Sequence, residues 1–356
     1  MKRTARTQRQ LFAIVAAMLL VLASAGSCRT ATTSPANESA VQGRATPRMV
    51  LTFYYPWWGN PAHSGGWVHW RGVNAEAHEI TNSTHFPEMG AYDSNDPGLI
   101  DHHLKLAEDA GIDAFIASWW GPGDFTDRAI SRLVDRAAHT KVKVSIYWEI
   151  VPGKGAARID RAVADLVYVL KNYGDRAGFL RVGGKPVIFV YGRVMGGIPM
   201  DKWPEIVARA EKQAGREFLL IADGYSKACA RQFDGVHTYN IAGWWRGGDV
   251  ANLAEAAKNS FSRAVQLARS EGKISCLTVI PGYDDTKERK PGLVAPRHDG
   301  ATYEALWRAA IAADADWILV TSFNEWHEGS EIEPSREYGD KYMSMTRSFA
   351  RQFKKR

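Results

Sequence analysis

The sequence is poor in cysteine and lacks the motifs that gather metal-binding side chains. Its three cysteines are Cys28, Cys229 and Cys276, and neither Cys-x-x-Cys nor His-Glu-x-x-His occurs. A small disulfide-stapled domain and a zinc site are therefore not indicated. Cys229 and Cys276 fall at opposite ends of the barrel predicted below, so we expect no disulfide between them. We predict neither a metal nor another cofactor.

The sequence also has no basic stripe and no arginine-rich tail. The formal net charge is +6, but Lys2, Arg3, Arg6 and Arg9 stand near the N-terminus, and subtracting these four leaves +2 for the rest of the chain. A net positive charge this small does not indicate a surface that binds nucleic acid, and we exclude nucleic acid as a partner.

The apolar run near the N-terminus is too short to cross a membrane comfortably, because residues 11–22 are about a dozen where roughly 20 are needed. A basic start precedes it and small residues follow, so residues 1–28 have the three parts of a secretory signal. Ala-Gly-Ser before Cys28 resembles a bacterial lipobox, although Ala25 stands where leucine is usual. The alternatives are a plain cleaved signal and a short membrane anchor. We predict an exported protein, either secreted or lipid-anchored through Cys28 at the cell surface or in the periplasm.

Residues 29–47 are small and polar and are typical of a flexible tether. Residues 48–356 form the predicted catalytic domain, in which short apolar runs alternate with amphipathic stretches. The predicted strands are 49–55, 113–119, 142–148, 187–191, 218–222, 235–239, 276–280 and 317–321. The predicted helices are 101–110, 126–140, 159–173, 201–214, 250–271, 302–313 and 340–353, with one further helical turn around 227–232.

The strand candidates are nearly continuous apolar runs, which is typical of a parallel sheet covered by helices on both faces. On the helix candidate at 159–173, Ala162, Leu166, Val169 and Leu170 share one face. Eight such units predict an α/β protein with a single (β/α)8 TIM barrel, whose long βα loops form the active-site face. The alternative is an open doubly wound sheet, but no Gly-x-Gly-x-x-Gly follows the first strand. We expect a monomer.

Polar and aromatic residues follow nearly every predicted strand, and the C-terminal strand ends are where reactive residues gather in such a barrel. After the eighth strand, Glu325 and Glu328 stand three residues apart within Thr-Ser-Phe-Asn-Glu-Trp-His-Glu-Gly. Cleavage of a glycosidic bond needs an acid and a second carboxylate with separated pKa values. The spacing alone is equally typical of two solvated acids, but the flanking Asn, aromatics and His favour a catalytic pair.

The high aromatic content, with 13 Trp, 13 Tyr and 13 Phe, suits a sugar-binding cleft, because the C–H face of a pyranose packs on aromatic rings. For any single ring the alternative is a place in the core, and His69 and His237 are equally compatible with satisfied buried histidines. Glu331 and Glu333 are predicted to be rim or helix-capping acids. The predicted substrate contacts are Tyr54, Trp58, His69, Trp70, Trp119, Trp120, Glu149, Asp223, Tyr225, His237, Tyr239, Tyr283, Asn324, Trp326 and His327.

Residues 321–329 resemble the signature of glycoside hydrolase family 99, the endo-α-1,2-mannosidases and endo-α-1,2-mannanases. Further matches follow in order at 53–61, 69–70, 110–113, 118–121, 222–225 and 281–285. The resemblance spans roughly residues 49–350. It implies a metal-independent (β/α)8 enzyme that retains anomeric configuration.

The resemblance also implies distinct roles for the two glutamates. Glu325 would act as base on the substrate 2-hydroxyl to form a 1,2-anhydro sugar, and Glu328 would be the acid/base, a substrate-assisted variant of two-carboxylate hydrolysis. Glu149 stands where the family has another active-site glutamate. Glu149-Ile150-Val151 replaces the common Glu-Pro-Tyr, Trp58 replaces a common Tyr, and Ser330-Glu331 replaces a common Thr-Gln. At these positions the resemblance does not fix which glycan is recognised.

The leading prediction is therefore an exported, endo-acting α-mannosidase whose partner is an oligosaccharide or polysaccharide. One alternative is a hydrolase of a different α-linked glycan. Another is a catalytically inactive carbohydrate-binding lipoprotein, which the presence of both glutamates disfavours because binding alone does not need the pair. A metal-dependent polysaccharide deacetylase is disfavoured because its Asp/His cluster is missing.

Overall fold

The computed structural model describes residues 46–245 and 249–356. The predicted signal at 1–28, Cys28 with its predicted lipid, and all but the last two residues of the predicted tether lie outside the described residues. Within the part that is described, no helix combines the length and the apolar character needed to cross a membrane.

Eight parallel strands form a closed barrel, which confirms the predicted fold. Each strand pairs with the next along the chain, and β1 pairs with β8 to close the ring. All eight predicted strands are present, and their ends differ from the prediction by a few residues. The strands are β1 (Met49–Tyr54), β2 (Ala114–Trp119), β3 (Lys143–Trp148), β4 (Lys185–Val190), β5 (Leu219–Asp223), β6 (Gly235–His237), β7 (Ile274–Val279) and β8 (Trp317–Val320).

A helix follows each strand and covers the outside of the barrel. The helices are α1 (Pro97–Asp109), α2 (Phe125–Ala137), α3 (Gly155–Asn172), α4 (Trp203–Ala214), α5 (Lys227–Gln232), α6 (Val250–Ser270), α7 (Ala301–Ala313) and α8 (Lys341–Lys354). Two short helices, Pro61–Ser64 and Gly192–Gly197, were not predicted, because four to six residues are too few to show a helical period.

The core has two layers, because successive side chains of a strand point to opposite faces of the sheet. On β1, Leu51 and Phe53 belong to the cluster inside the barrel, whereas Val50 and Tyr54 belong to the cluster between the sheet and the helices. Tyr55, directly after β1, continues the inward series. This alternation decides which residues at a strand end can face the mouth of the barrel. Cys229 and Cys276 are buried and free.

Candidate active site

A cavity of about 310 Å³ opens at the C-terminal end of the barrel. Its walls come from the ends of β1, β2, β3, β4, β6 and β8 and from the loops after β1 and β7. The lining residues are Tyr55, Trp57, His69, Arg71, Trp120, Tyr147, Glu149, Tyr191, Arg193, Tyr239, Glu288, Arg289, Glu325, His327 and Glu328. Two wider grooves, of about 590 and 610 Å³, lie between outer helices and away from the strand ends. The cavity at the strand ends is therefore the candidate active site.

Glu328 is buried in this cavity, and both of its carboxylate oxygens have donors. The Tyr239 hydroxyl donates to Oε2 at 2.8 Å, and Arg289 Nη2 donates to Oε1 at 3.1 Å. Arg289 is in turn fixed through Nη1, which donates to Asp285 at 2.5 Å and to the Tyr283 hydroxyl at 2.7 Å. Charge-assisted bonds of this kind hold a carboxylate in one orientation.

Glu325 has different surroundings. It is 2% exposed, its backbone N–H donates to Ser322 Oγ at 2.8 Å, and its Oε1 accepts from the backbone N–H of His327 at 3.2 Å. Its other oxygen, Oε2, is buried and has no hydrogen-bond partner among the described residues. Burial raises the pKa of Glu325 to about 7, against the opposing effect of His327. The result is a carboxylate of moderate basicity with one vacant acceptor oxygen.

His327 links Glu325 to the loop after β1. Its Nδ1 lies 3.4 Å from Glu325 Oε1, and its Nε2 donates to the carbonyl of His69 at 3.1 Å. Burial opposes a charge on His327, but Glu325 outweighs burial and raises the pKa of His327 above its ordinary value. The His327 ring therefore holds a proton next to Glu325 more readily than a free imidazole would.

His69 sits in the left-handed region of the backbone map, with φ 63°, which is uncommon for a residue other than glycine. Its carbonyl also accepts from Asn82 Nδ2 at 3.0 Å, and its ring stacks on Trp57 at 4.3 Å between centroids. Burial lowers the pKa of His69 to about 4, so the ring is neutral near pH 7. A strained backbone held by outside contacts is typical of a functional site.

Glu149 lies on the wall formed by β2 and β3. Ser118 Oγ donates to its Oε1 at 2.8 Å, and Trp120 Nε1 donates to the same Ser118 oxygen at 3.1 Å. Burial raises the pKa of Glu149 to about 8, with Ser118 and Arg193 opposing the shift. The carboxyl of Glu149 is therefore mostly protonated near pH 7. Within 46–245 and 249–356, no group of three or more His, Cys, Asp or Glu side chains is arranged to hold a metal ion.

The structure brings seven of the predicted site residues together in the cavity and leaves ten outside its lining. The residues in the lining are Glu325, Glu328, His69, Trp120, Glu149, Tyr239 and His327. The residues outside it are Tyr54, Trp58, Trp70, Trp119, Asp223, Tyr225, His237, Tyr283, Asn324 and Trp326. Direct contact between these ten residues and the substrate therefore stays a prediction.

Some of the ten belong to the layer between sheet and helices. The Tyr54 hydroxyl bonds to His103 Nδ1 at 3.0 Å, and Trp119 Nε1 donates to Asp127 at 2.7 Å. Trp58, Trp70 and Trp326 form a separate buried cluster under the loop after β1.

Others support the lining from behind. Asn324 Oδ1 accepts from the Tyr55 backbone N–H at 2.7 Å, and its Nδ2 donates to the Tyr55 carbonyl at 3.1 Å, which joins the ends of β1 and β8. Asp223 accepts from the Gly192 backbone N–H at 3.0 Å, and the Tyr225 hydroxyl donates to the Cys276 carbonyl at 2.6 Å.

His237 and Tyr283 also lie behind the lining. His237 is fully buried inside the barrel beside the rings of Phe53 and Tyr147, where burial lowers its pKa to about 4. Tyr283 contacts Arg289 rather than the cavity.

Glu331 and Glu333 are not rim or capping acids as predicted, because both are buried. Arg297 Nη2 donates to Glu331 Oε1 at 2.6 Å, and His85 contacts the same oxygen at 2.8 Å. The Tyr92 hydroxyl donates to Glu333 at 2.7 Å. These acids and their partners form a buried polar support for residues 325–333.

Sequence reasoning missed eight of the lining residues, which are Tyr55, Trp57, Arg71, Tyr147, Tyr191, Arg193, Glu288 and Arg289. Tyr55 and Tyr147 continue the inward period of their strands, but the sequence alone does not fix the phase of that period. Trp57, Arg71, Arg193, Glu288 and Arg289 lie outside the barrel strands, and their positions carried no periodic signal.

The chain is similar to known proteins in both sequence and structure. The model of glycosyl hydrolase family 99 matches residues 46–346. The glycoprotein endo-alpha-1,2-mannosidase-like protein of Homo sapiens is 28% identical, over 85% of this chain and 75% of that protein. Glycoprotein endo-alpha-1,2-mannosidase of Rattus norvegicus is 26% identical, over 85% and 72%. The solved GH99 endo-alpha-mannosidase from Bacteroides thetaiotaomicron superposes with a TM-score of 0.70 at 28% identity, covering 86% of this chain and 97% of that one.

Proposed function

The chain belongs to glycosyl hydrolase family 99 and is a glycoside hydrolase, and from this premise we propose that it cleaves α-1,2-linked mannosides within a glycan or mannan. We propose endo action with retention of anomeric configuration. One observation carries the proposal: Glu325 and Glu328 line a single cavity but have unlike surroundings. One carboxyl group can act as an acid and the other as a base when different surroundings give them different pKa values.

In the proposed first step, Glu325 Oε2 removes the proton of the substrate 2-hydroxyl. The 2-oxygen then bonds to the anomeric carbon as the bond to the leaving sugar breaks, and Glu328 gives its proton to the leaving oxygen. This produces a 1,2-anhydro sugar. The vacant Oε2 of Glu325 supports the assignment, because a base needs an acceptor oxygen that can reach the proton it removes. A pKa of about 7 suits a base that works near neutral pH.

In the proposed second step, Glu328 removes a proton from water, which attacks the anomeric carbon and opens the anhydro ring. Glu325 returns its proton to the 2-oxygen. Both displacements invert the anomeric carbon, so the net result is retention. Arg289 and Tyr239 would stabilise Glu328 as its charge changes between the steps, because each donates to one of its oxygens.

The experiment is incubation of the purified protein with a panel of α-linked oligosaccharides, with product size followed by mass spectrometry and anomeric form by proton NMR. We expect cleavage inside α-1,2-linked mannosides with α-anomeric product. In the Glu328→Gln variant, turnover should fall by orders of magnitude while substrate still binds. A protein inert across the panel would contradict the proposal, and cleavage of another α-linked glycan alone would contradict the substrate assignment.

We further propose that the protein is exported and is lipidated at Cys28. The basic start, the short apolar run and Ala-Gly-Ser before Cys28 support export and lipidation. Labelling of the full chain with radioactive palmitate in a bacterial host tests the anchor, with Cys28→Ala as the control. Label that persists in Cys28→Ala, or no label in the unaltered chain, would contradict lipidation at this residue.

A further inference from the structure

Three arginines line the cavity, and they differ in how their charges are balanced. Arg289 bonds to Glu328 and Asp285, and Arg71 lies 3.3 Å from Glu288. Arg193 also lines the cavity, but among the residues that the structure describes no carboxylate lies within ion-pair distance of it. Its charge is therefore available to a ligand in a way that the other two charges are not.

Arg193 is exposed yet held in place by aromatic rings. Its guanidinium carbon lies 5.2 Å from the ring centroid of Trp120 and 5.4 Å from that of Tyr191. Trp120 is fixed by its hydrogen bond to Ser118, and the Tyr191 ring packs 5.3 Å from Tyr147. Cation–π contacts orient a guanidinium without neutralising it.

The backbone that carries Arg193 is fixed as well. Arg193 lies in the first turn of the short helix Gly192–Gly197, and the N–H of the preceding residue, Gly192, donates to Asp223 at 3.0 Å. The side chain therefore extends from an anchored backbone onto two anchored rings. Such preorganisation lowers the entropy lost when a ligand binds.

The acid that shares this wall does not cancel the charge of Arg193. Glu149 is buried, and its Oε1 accepts from Ser118. Burial raises the pKa of Glu149 to about 8, so near pH 7 its carboxyl is mostly uncharged. Glu288 and Glu328 do not neutralise Arg193 either, because Glu288 is paired with Arg71 and Glu328 is paired with Arg289.

We propose that Arg193 binds an anionic substituent, a carboxylate or a phosphate ester, on the glycan that occupies the cavity. A guanidinium matches both groups with two parallel hydrogen bonds, whereas the hydroxyls of a neutral sugar need no full charge. The substrate class is then an acidic α-mannosyl glycan. This inference rests on the proposed function and narrows its substrate.

The test is an NMR titration of the unaltered protein with three probes that share the mannose ring: methyl α-mannoside, mannose 6-phosphate and mannuronic acid. We expect one of the two anionic probes to bind about tenfold more tightly than the neutral one at low salt, and the difference to shrink at high ionic strength. The favoured probe identifies the group as phosphate or carboxylate. Equal affinity for all three probes would overturn the proposal.

Variants of Arg193 and Arg71 test whether the preference for the anionic probe depends on Arg193. Arg193→Gln should lose the preference for the anionic probe, and Arg193→Lys should keep part of it as a point charge. Arg71→Gln is the matched control, because it removes the same charge from the same cavity at a position already paired with Glu288. A preference that survives in Arg193→Gln, or that is lost in Arg71→Gln alone, would overturn the assignment.

The titration needs no turnover, so its outcome is separate from that of the proposed function. A protein that is inert on every mannoside but discriminates the anionic probe contradicts the hydrolase proposal and supports the role of Arg193. A protein that cleaves neutral mannosides and binds all probes equally supports the hydrolase proposal and contradicts the role of Arg193.

Discussion

The phenol hydroxyl of Tyr239 donates a 2.8 Å hydrogen bond to Oε2 of Glu328. This bond matters because Tyr239 comes from the segment after β6 and Glu328 from the segment after β8, so it joins two strand ends across the cavity. In the proposed reaction Glu328 changes charge twice, and the strength of the bond changes with it.

Tyr239→Phe should lower kcat/KM by about 10- to 100-fold, because a hydrogen bond to a charged group contributes roughly 1.5–3 kcal/mol. The ring remains, so the melting temperature should change little. Tyr225→Phe is the control, since its hydroxyl bonds to the Cys276 carbonyl away from the cavity. Steady-state kinetics on the best oligosaccharide gives the comparison, and equal losses in both variants would contradict the role of Tyr239.

The pH dependence of kcat/KM should show an acid limb near pH 7. Burial raises the pKa of Glu325 to about 7, and a base acts only in its ionised form, which is lost as pH falls through that value. Below the limb, kcat/KM should fall about tenfold per pH unit. A profile that stays flat from about pH 8 to about pH 5 would exclude Glu325 as the base.

Glu149→Gln should stabilise the protein at alkaline pH. The folded-state pKa of Glu149 is raised from 4.5 to about 8. Between these values the folded protein keeps a proton that the unfolded chain has lost, so the free energy of unfolding falls as pH rises through this window. Glutamine does not titrate, so its advantage over glutamate should grow from pH 5 to pH 9, to the order of a few kcal/mol.

Thermal unfolding across that pH range measures the effect of Glu149→Gln. Glu76, which is exposed in the loop after β1, provides the control variant Glu76→Gln. A difference between Glu149→Gln and the unaltered protein that is independent of pH would show that Glu149 is ionised throughout the range.

Arg297 bonds to the segment that follows Glu328. Its Nη2 donates to the Gly329 carbonyl at 3.0 Å and to Glu331 Oε1 at 2.6 Å, and its guanidinium carbon lies 4.5 Å from the ring centroids of both Tyr338 and Tyr342. Arg297→Met should destabilise the protein by about 3–5 kcal/mol, because Glu331 is then a buried charge without its arginine. Urea unfolding measures this loss.

The double variant Arg297→Met with Glu331→Leu should recover part of that loss, since it removes both charges together. A double variant no more stable than Arg297→Met would show that the pair contributes through packing and the Gly329 bond rather than through charge compensation.

The two tryptophans after β1 are neighbours in the chain but have different surroundings. Trp57 lines the cavity and stacks on His69, whereas its neighbour Trp58 is fully buried and donates through Nε1 to the Asn324 carbonyl at 3.2 Å. Trp57→Ala should raise KM with a modest loss of stability. Trp58→Ala should cost about 3–5 kcal/mol in unfolding free energy. Kinetics and unfolding of the two variants together separate the roles, and a reversed pattern would contradict this account.

The fold could be predicted closely, because buried parallel strands are continuous apolar runs and the helices between them keep a clear period. The segment after β8 could also be predicted, since Glu325 and Glu328 stand close together in the chain and within a specific motif. Which side chains at the strand ends face the inside of the barrel could not be predicted. Tyr54 and Tyr55 are both aromatic and both buried, and the sequence does not say which of the two faces inward.

The remaining site residues depend on long-range contacts that leave no local pattern. Arg289 reaches Glu328 from the loop after β7. Glu331 is buried beside Arg297 and His85, and Glu333 is buried beside Tyr92 and His103. A charged residue in a polar loop is otherwise exposed, so the prediction that both acids lie at the rim followed from composition.

The most direct test of the central claim compares kcat/KM of Glu328→Gln on two substrates, an α-1,2-linked mannoside and the matching glycosyl fluoride. Fluoride leaves without a proton, so an acid is needed only for the sugar leaving group. The account predicts a loss of several orders of magnitude on the mannoside and a much smaller loss on the fluoride. An unchanged rate on the mannoside, or an equal loss on both, would contradict the assignment of Glu328 as the acid.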